Sequence, residues 1–169
     1  MKLSEFFLAQ LEREAPLSQK ALERVPEGRS DWKPHEKSMP FGYLSTLVAT
    51  MPSWIAMMID QDELDLAPLG GSGEKPKAPG NTRELLKAHE DAVAKGKASL
   101  RNTTDEHLMT PWRLLVGGKV VMENPRHVVL ADTFGHLAHH RGQMTVYLRL
   151  LGAPVPAIYG PSADDTSFG

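Results

Sequence analysis

Cysteine is absent from this chain of 169 residues. Without a thiol the chain cannot form a disulfide, a thiolate nucleophile, a zinc ribbon or an iron–sulfur cluster. No apolar run approaches the roughly 18 residues that cross a bilayer, and the N-terminal residues lack the core of a signal peptide. We therefore expect a cytoplasmic protein with no membrane partner. Any metal site must use the seven histidines and the carboxylates.

An excess of charge of either sign is also lacking, since 19 Lys and Arg oppose 21 Asp and Glu. This balance argues against a nucleic-acid partner. The glycines at residues 70–73 lack the strand and helix that flank a phosphate-binding loop, so no nucleotide cofactor is expected. The length predicts one domain over residues 1–169, in which residues 151–169 form a coil that packs on the helices.

Four segments carry the signals of helices. The first helix should be kinked or divided by Pro16, and the second should begin at an N-cap, Ser38, and bend near Leu47–Val48 because of Pro52. The third opens with a capping box at Asn81. In the fourth, Asn124 is the predicted N-cap and Pro125 the first helical residue. Gly152 should end this helix. The four predicted spans are residues 3–24, 38–59, 81–100 and about 125–151.

Two short runs of β type flank Gly117-Gly118, between the third and fourth helices. A tight hairpin turn needs positive φ angles, which glycine adopts readily, so residues 112–122 predict a hairpin. Four amphipathic helices with one small hairpin indicate an all-α fold, a four-helix bundle.

The fourth helix carries the most informative polar residues. His136 and His140 are four residues apart, so they lie on one face of a helix and can reach one divalent ion. Gln143 and Tyr147 continue this face, and His139 is placed at its rim or behind it. The alternative interpretation is a partly buried, hydrogen-bonded polar face without a ligand.

Four stretches together give the chain a family resemblance: ERVPEG, DWKPHEKSM, the WRLLVGGKVV hairpin and HLAHHRGQMTVYLRLLGAPVPAIYGPSADD. In this order they resemble the DinB-like family. The resemblance implies an up-down-down-up four-helix bundle, often a homodimer, with nickel or zinc held by three histidines. Two of these match His136 and His140, and the third comes from the second helix.

The sequence departs from that pattern on the second helix, where the position of the third histidine is occupied by Leu47. A leucine cannot bind a metal, and catalytic zinc sites generally use three protein ligands. We therefore predict a degenerate site in which nickel or zinc is weakly bound or absent. The alternative is a rewired site in which His89, His139 or a carboxylate completes the set.

Three functions follow from the resemblance. A rewired site would suit a metal-dependent transferase or hydrolase, in which a low-molecular-weight thiol supplies the nucleophile. A degenerate site would suit a non-catalytic, stress-associated protein with an apolar pocket for a small molecule. A structural homodimer is the third.

Two further residues are pocket candidates: Trp54 as a lining residue and Arg141 as a contact to an anionic substrate, although a salt bridge also explains Arg141. The C-terminal coil either closes the pocket or covers hydrophobic surface.

Overall fold

The computed structural model describes residues 1–68 and 79–167, so most of the predicted loop at residues 68–80 and the last two residues of the C-terminal coil lie outside it. The described part is mostly helical, as predicted, and its β-structure is a three-stranded sheet rather than the predicted two-stranded hairpin alone. Its elements are α1 (Leu3–Leu22), α2 (Phe41–Thr50), α3 (Pro52–Asp60), β1 (Glu63–Asp65), α4 (Thr82–Asn102), α5 (Asp105–Leu108), β2 (Pro111–Val116), β3 (Lys119–Pro125) and α6 (Arg126–Leu150).

The predicted second helix is two helices, α2 and α3, which are bent by 52° relative to each other. The bend lies at Met51 rather than near Leu47–Val48, because Pro52 is the first residue of α3, where its missing N–H breaks no hydrogen bond. The N-cap of α2 is Pro40, so the prediction of Ser38 was wrong.

Among the described residues no single helix is long and apolar enough to cross a membrane, whereas the bent pair reaches that length and hydropathy together.

The predictions for Pro16 and Pro125 were also wrong. Pro16 does not divide α1, which is continuous from Leu3 to Leu22. The ring of Pro16 is exposed, so the carbonyl that loses its helical donor can be hydrated. Asn124 belongs to β3, and Pro125 is the N-cap of α6 rather than its first residue. Gly152 ends α6 with a φ of 72°, as a C-terminal glycine is expected to do.

Asn81 is the N-cap of α4 as predicted, but the reciprocal bond of a capping box is not made, because Glu84 accepts from the N–H of Gly80 rather than from that of Asn81. The Asn81 side chain accepts a hydrogen bond from the Glu84 backbone N–H at 2.9 Å, and the Glu84 carboxylate accepts one from the Gly80 N–H at 2.8 Å. We expect Asn81→Ala to lower the free energy of unfolding by about 1 kcal/mol, because the helix loses a capping acceptor. Denaturation with urea measures this, and Asn81→Asp, which keeps the acceptor, should stay close to the wild type.

The sheet has the order β1-β2-β3. β2 and β3 are antiparallel on either side of Gly117 and Gly118, whose φ angles are 59° and 76°. β1 is parallel to β2 and was not predicted, because three residues are too short for a pattern to be recognised. The Asp65 carboxylate accepts hydrogen bonds from the backbone N–H groups of Ala67, Gly117 and Gly118, and these bonds lower its pKa below the ordinary value. These hydrogen bonds connect β1 to the turn between β2 and β3.

Two groups of buried side chains form the core. One lies among α1, α2, α4 and α6 and includes Phe41 and Leu44, and the other lies between the helices and the sheet and includes Trp112 and Leu130. Trp54, at the start of α3, is half-buried and packs against both groups. The bend between α2 and α3 thus places an aromatic ring at the boundary between the two parts of the core.

Candidate functional site

His136 and His140 meet on the face of α6 that turns toward α3. Their Nε2 atoms are 2.8 Å apart, and the ring centroids are 4.6 Å apart. Two protonated Nε2 atoms cannot lie this close, so at most one proton lies between the two nitrogens and one ring accepts it. His140 is buried, whereas His136 is exposed. The predicted pair is therefore a hydrogen-bonded unit with one side open to solvent.

Gln143 sets the orientation of His140. The Gln143 side-chain oxygen lies 2.8 Å from His140 Nδ1, so that nitrogen is the donor and the Nε2 lone pair faces His136. Although His136 is largely exposed, partial desolvation of its ring lowers its pKa below the usual range, and the neighbouring His140 and His139 lower it further. The ring of His139 lies edge-on to His140, with centroids 5.1 Å apart. His139 is exposed.

Trp54 contacts the pair from α3, with its ring 5.6 Å from that of His136 and at 62° to it. The two rings line one end of a cavity of about 390 Å³ between the sheet and the helices α3 and α6. Most of its walls are apolar side chains. The lining residues are Trp54, Met57, Met58, Leu64, Leu66, Trp112, Leu114, Met122, Val129, Asp132, Thr133 and His136. We call this the sheet cavity.

A second cavity, of about 560 Å³, shares Trp54 with the sheet cavity but lies along α2. Leu47 is part of its wall, so the leucine and His136 line different cavities. The hydroxyl groups along this wall are occupied by bonds to helical carbonyls: Thr46 donates to Gly42 O at 2.7 Å, and Thr50 donates to Thr46 O at 2.8 Å. Trp54 therefore lines both cavities, and its role toward a ligand stays a prediction.

The donor set does not fit a three-histidine metal site. Among residues 1–68 and 79–167, no group of three or more His, Asp or Glu side chains lies close enough together to hold a metal ion. His89 does not complete the pair, because it is buried elsewhere, with Nδ1 3.2 Å from Ala49 O and Nε2 3.0 Å from Ala15 O. The rewired set with His89 is therefore not formed.

Arg141 does not line either cavity. Its guanidinium pairs with the Glu14 carboxylate of α1 at 2.5 Å, and both side chains are almost fully buried. Ser18 accepts a further hydrogen bond at 3.0 Å, and the Tyr159 hydroxyl donates to Glu14 at 2.8 Å. The salt bridge, and not an anionic substrate, explains Arg141. Tyr159 belongs to the C-terminal coil, which adds Val155 and other apolar side chains to the core.

Tyr147 packs away from the pair, against Trp32 at 5.5 Å, and its hydroxyl donates to Met39 O at 3.3 Å. Asp132, in contrast, lines the sheet cavity together with His136 and was missed by the sequence analysis. The signal was available, because Asp132, His136 and His140 are spaced at i, i+4 and i+8, which places them along one helical face.

A mostly helical fold with a small three-stranded sheet, and a histidine pair beside an apolar cavity, define the class of this protein. A family model described as the DinB family matches residues 8–167. The chain belongs to the DinB family, as the resemblance implied. The structure is similar to that of a DinB-like protein from Bacillus cereus ATCC 10987, with a TM-score of 0.70 and 22% identity over 92% of this chain and 97% of that one. It is also similar to the DinB-like protein YjoA from Bacillus subtilis, with a TM-score of 0.65 and 19% identity over 86% and 92% of the two chains.

One curated relative, the uncharacterized protein YrdA of Bacillus subtilis strain 168, is 46% identical over 46 residues, or 27% of this chain. The match spans 28% of the length of that relative. At these identities the two solved structures establish the fold alone.

Proposed function

We propose that this DinB-family protein binds a small apolar molecule in the sheet cavity, and that His136 and His140 provide a hydrogen-bonding pair at its polar end rather than a tightly held metal. The observation that carries the proposal is that, within residues 1–68 and 79–167, no third His, Asp or Glu side chain joins the two Nε2 atoms, which lie 2.8 Å apart. The resemblance places Leu47, which has no donor atom, at the position of the third ligand.

Two properties of the site support weak metal binding and an apolar ligand: the number of imidazoles and the lining of the sheet cavity. Two imidazoles leave the rest of a metal's coordination shell to water, so nickel or zinc binds weakly and with little geometric control. The sheet cavity, in contrast, is lined by three methionines and several aliphatic side chains. Each methylene group that a ligand buries there contributes about 0.8 kcal/mol, and methionine side chains adapt to different ligand shapes.

Metal titration tests the first half. We expect untagged wild-type protein to bind nickel and zinc weakly, and Leu47→His to bind at least about tenfold more tightly, because the resemblance implies that an imidazole at this position completes the ligand count. Adding His136→Ala to Leu47→His should remove the gain. Tight stoichiometric metal in the wild type, lost in His136→Ala, would contradict the proposal.

Calorimetric titration with 1-octanol tests the second half. We expect saturable binding that is lost in Leu114→Phe, because the larger ring fills the cavity from β2. Val120→Phe is the matched control, since Val120 lies on the neighbouring strand, is 51% exposed and does not line the cavity. Equal binding by both variants would place the alcohol outside the sheet cavity.

One observation favours a second candidate function, a metal-dependent transferase or hydrolase that uses a thiol from solution. Asp132 lines the same cavity as His136 and lies one helical turn before it, so a change of its side-chain rotamer could bring a carboxylate to the pair. In that case Asp132→Asn would lower the affinity for zinc as strongly as His136→Ala does. A bound nickel or zinc ion would then lower the pKa of the thiol that comes from solution.

We further propose that α1, α2 with α3, α4 and α6 correspond to the four helices of an up-down-down-up bundle. In support, α4 packs against α1, α2 and α3, and α6 packs against the same three helices. The homodimer stays a prediction from the resemblance, and the mass in solution by light scattering checks it.

A further inference from the structure

We infer that the ligand of the sheet cavity is a hydrophobic amine, with its alkyl or aryl group among the apolar walls and its ammonium group beside Asp132. This inference rests on the proposed function, because it specifies the chemistry of the molecule that the cavity binds. It does not depend on a metal.

The charge of the cavity wall is the first argument. Among the described residues that line the sheet cavity, Asp132 is the single carboxylate, and none of them is a lysine or an arginine. Within residues 1–68 and 79–167, no lysine, arginine or histidine forms a salt bridge with it. The side chain is exposed at the mouth of the cavity, so the carboxylate keeps its hydration until a ligand arrives. A cation at this position gains an ion pair, whereas a carboxylate ligand meets like charge.

The hydrogen-bonding capacity of the wall is the second argument. The Thr133 hydroxyl is already used, because it donates to Val129 O at 2.9 Å and lies 3.4 Å from Met58 Sδ. His136 Nε2 is occupied by His140. Among the described lining residues, the Asp132 carboxylate and His136 Nδ1 remain as acceptors, and the buried Trp112 Nε1–H is a donor without a partner. The carboxylate is the only one of these three groups that carries a full charge. An ammonium group supplies up to three donors, whereas an ether or a carbonyl supplies none.

The aromatic side chains give the third argument. Trp54 lines the cavity next to His136, and Trp112 is a second, fully buried lining residue. Tryptophan is the side chain that attracts cations most strongly through its ring face. A positively charged head beside the exposed Asp132 and an apolar body among the buried side chains match the groups that line the cavity.

The test compares three ligands with the same chain length by calorimetry at pH 7 and low ionic strength: octylamine, 1-octanol and octanoate. We expect octylamine to bind about fivefold more tightly than octanol, as an exposed ion pair allows, and octanoate to bind more weakly than either. The advantage of the amine should decrease as salt is added. It should also disappear in Leu114→Phe, which places the amine in the cavity.

Asp132→Asn is the decisive variant. It should reduce octylamine binding to the level of octanol and leave octanol binding unchanged. Asp91→Asn, the same substitution on the exposed surface of α4, is the matched control and should retain the preference for the amine. Equal affinities for amine and alcohol, or an unchanged preference in Asp132→Asn, would overturn the inference while the proposed function stands. Binding of none of the three ligands would instead count against the proposed function itself.

Discussion

Replacing Glu14 by glutamine should lower the free energy of unfolding by about 3–5 kcal/mol, because the substitution leaves the buried Arg141 guanidinium without its counter-charge. The relative exposures of the two side chains are 3% and 1%, so water cannot replace the lost carboxylate. Chemical denaturation measures the loss. The pair joins α1 to α6, and its removal should therefore reduce the stability of the whole fold rather than fray one helix.

Two further variants separate the charge from the hydrogen bonds. Tyr159→Phe removes the hydroxyl that donates to Glu14 at 2.8 Å and should cost about 1 kcal/mol, the usual net value of one hydrogen bond. The double variant Glu14→Leu with Arg141→Met removes both charges and should recover most of the stability that Glu14→Gln loses. A loss below about 1 kcal/mol in Glu14→Gln would show that water reaches the pair.

Gly96→Ala should destabilise the protein by about 2 kcal/mol, although alanine is the better helix former. Gly96 lies within α4, where it packs closely against α3. An added Cβ would lie 2.8 Å from the backbone oxygen of Pro52 and 3.1 Å from Leu11 Cδ2. A backbone oxygen cannot rotate away as a side chain can, so α3 and α4 must separate.

Gly142→Ala is the matched control for this second prediction. Gly142 is also helical, but it is exposed on α6, and an added Cβ has no neighbour within 4 Å. It should raise the free energy of unfolding by about 0.5–1 kcal/mol, because alanine loses less backbone entropy on folding. If both substitutions had the same sign, the close approach of α4 to α3 would not be the cause.

The secondary structure could be predicted where the signal is local. Asn81 and Glu84 cap α4 through bonds between neighbours in the sequence, and the two glycines of the β2–β3 turn adopt the positive φ angles expected of them. The errors occurred where distant contacts or solvent decide. Pro52 begins a helix instead of kinking one, and Pro16 is tolerated because its face of α1 is exposed.

The sequence by itself determined that His136 and His140 lie on one face of a helix, because a spacing of four residues is one helical turn. It also determined that the second helix carries Leu47 at the position where the DinB-like pattern has its third histidine. Only the tertiary structure decided that Arg141 is buried against Glu14, that His89 bonds two carbonyl oxygens, and that Asp132 lies on a cavity. Helical periodicity follows from bonds between residues four apart, whereas these contacts join residues that only the packing of separate elements brings together.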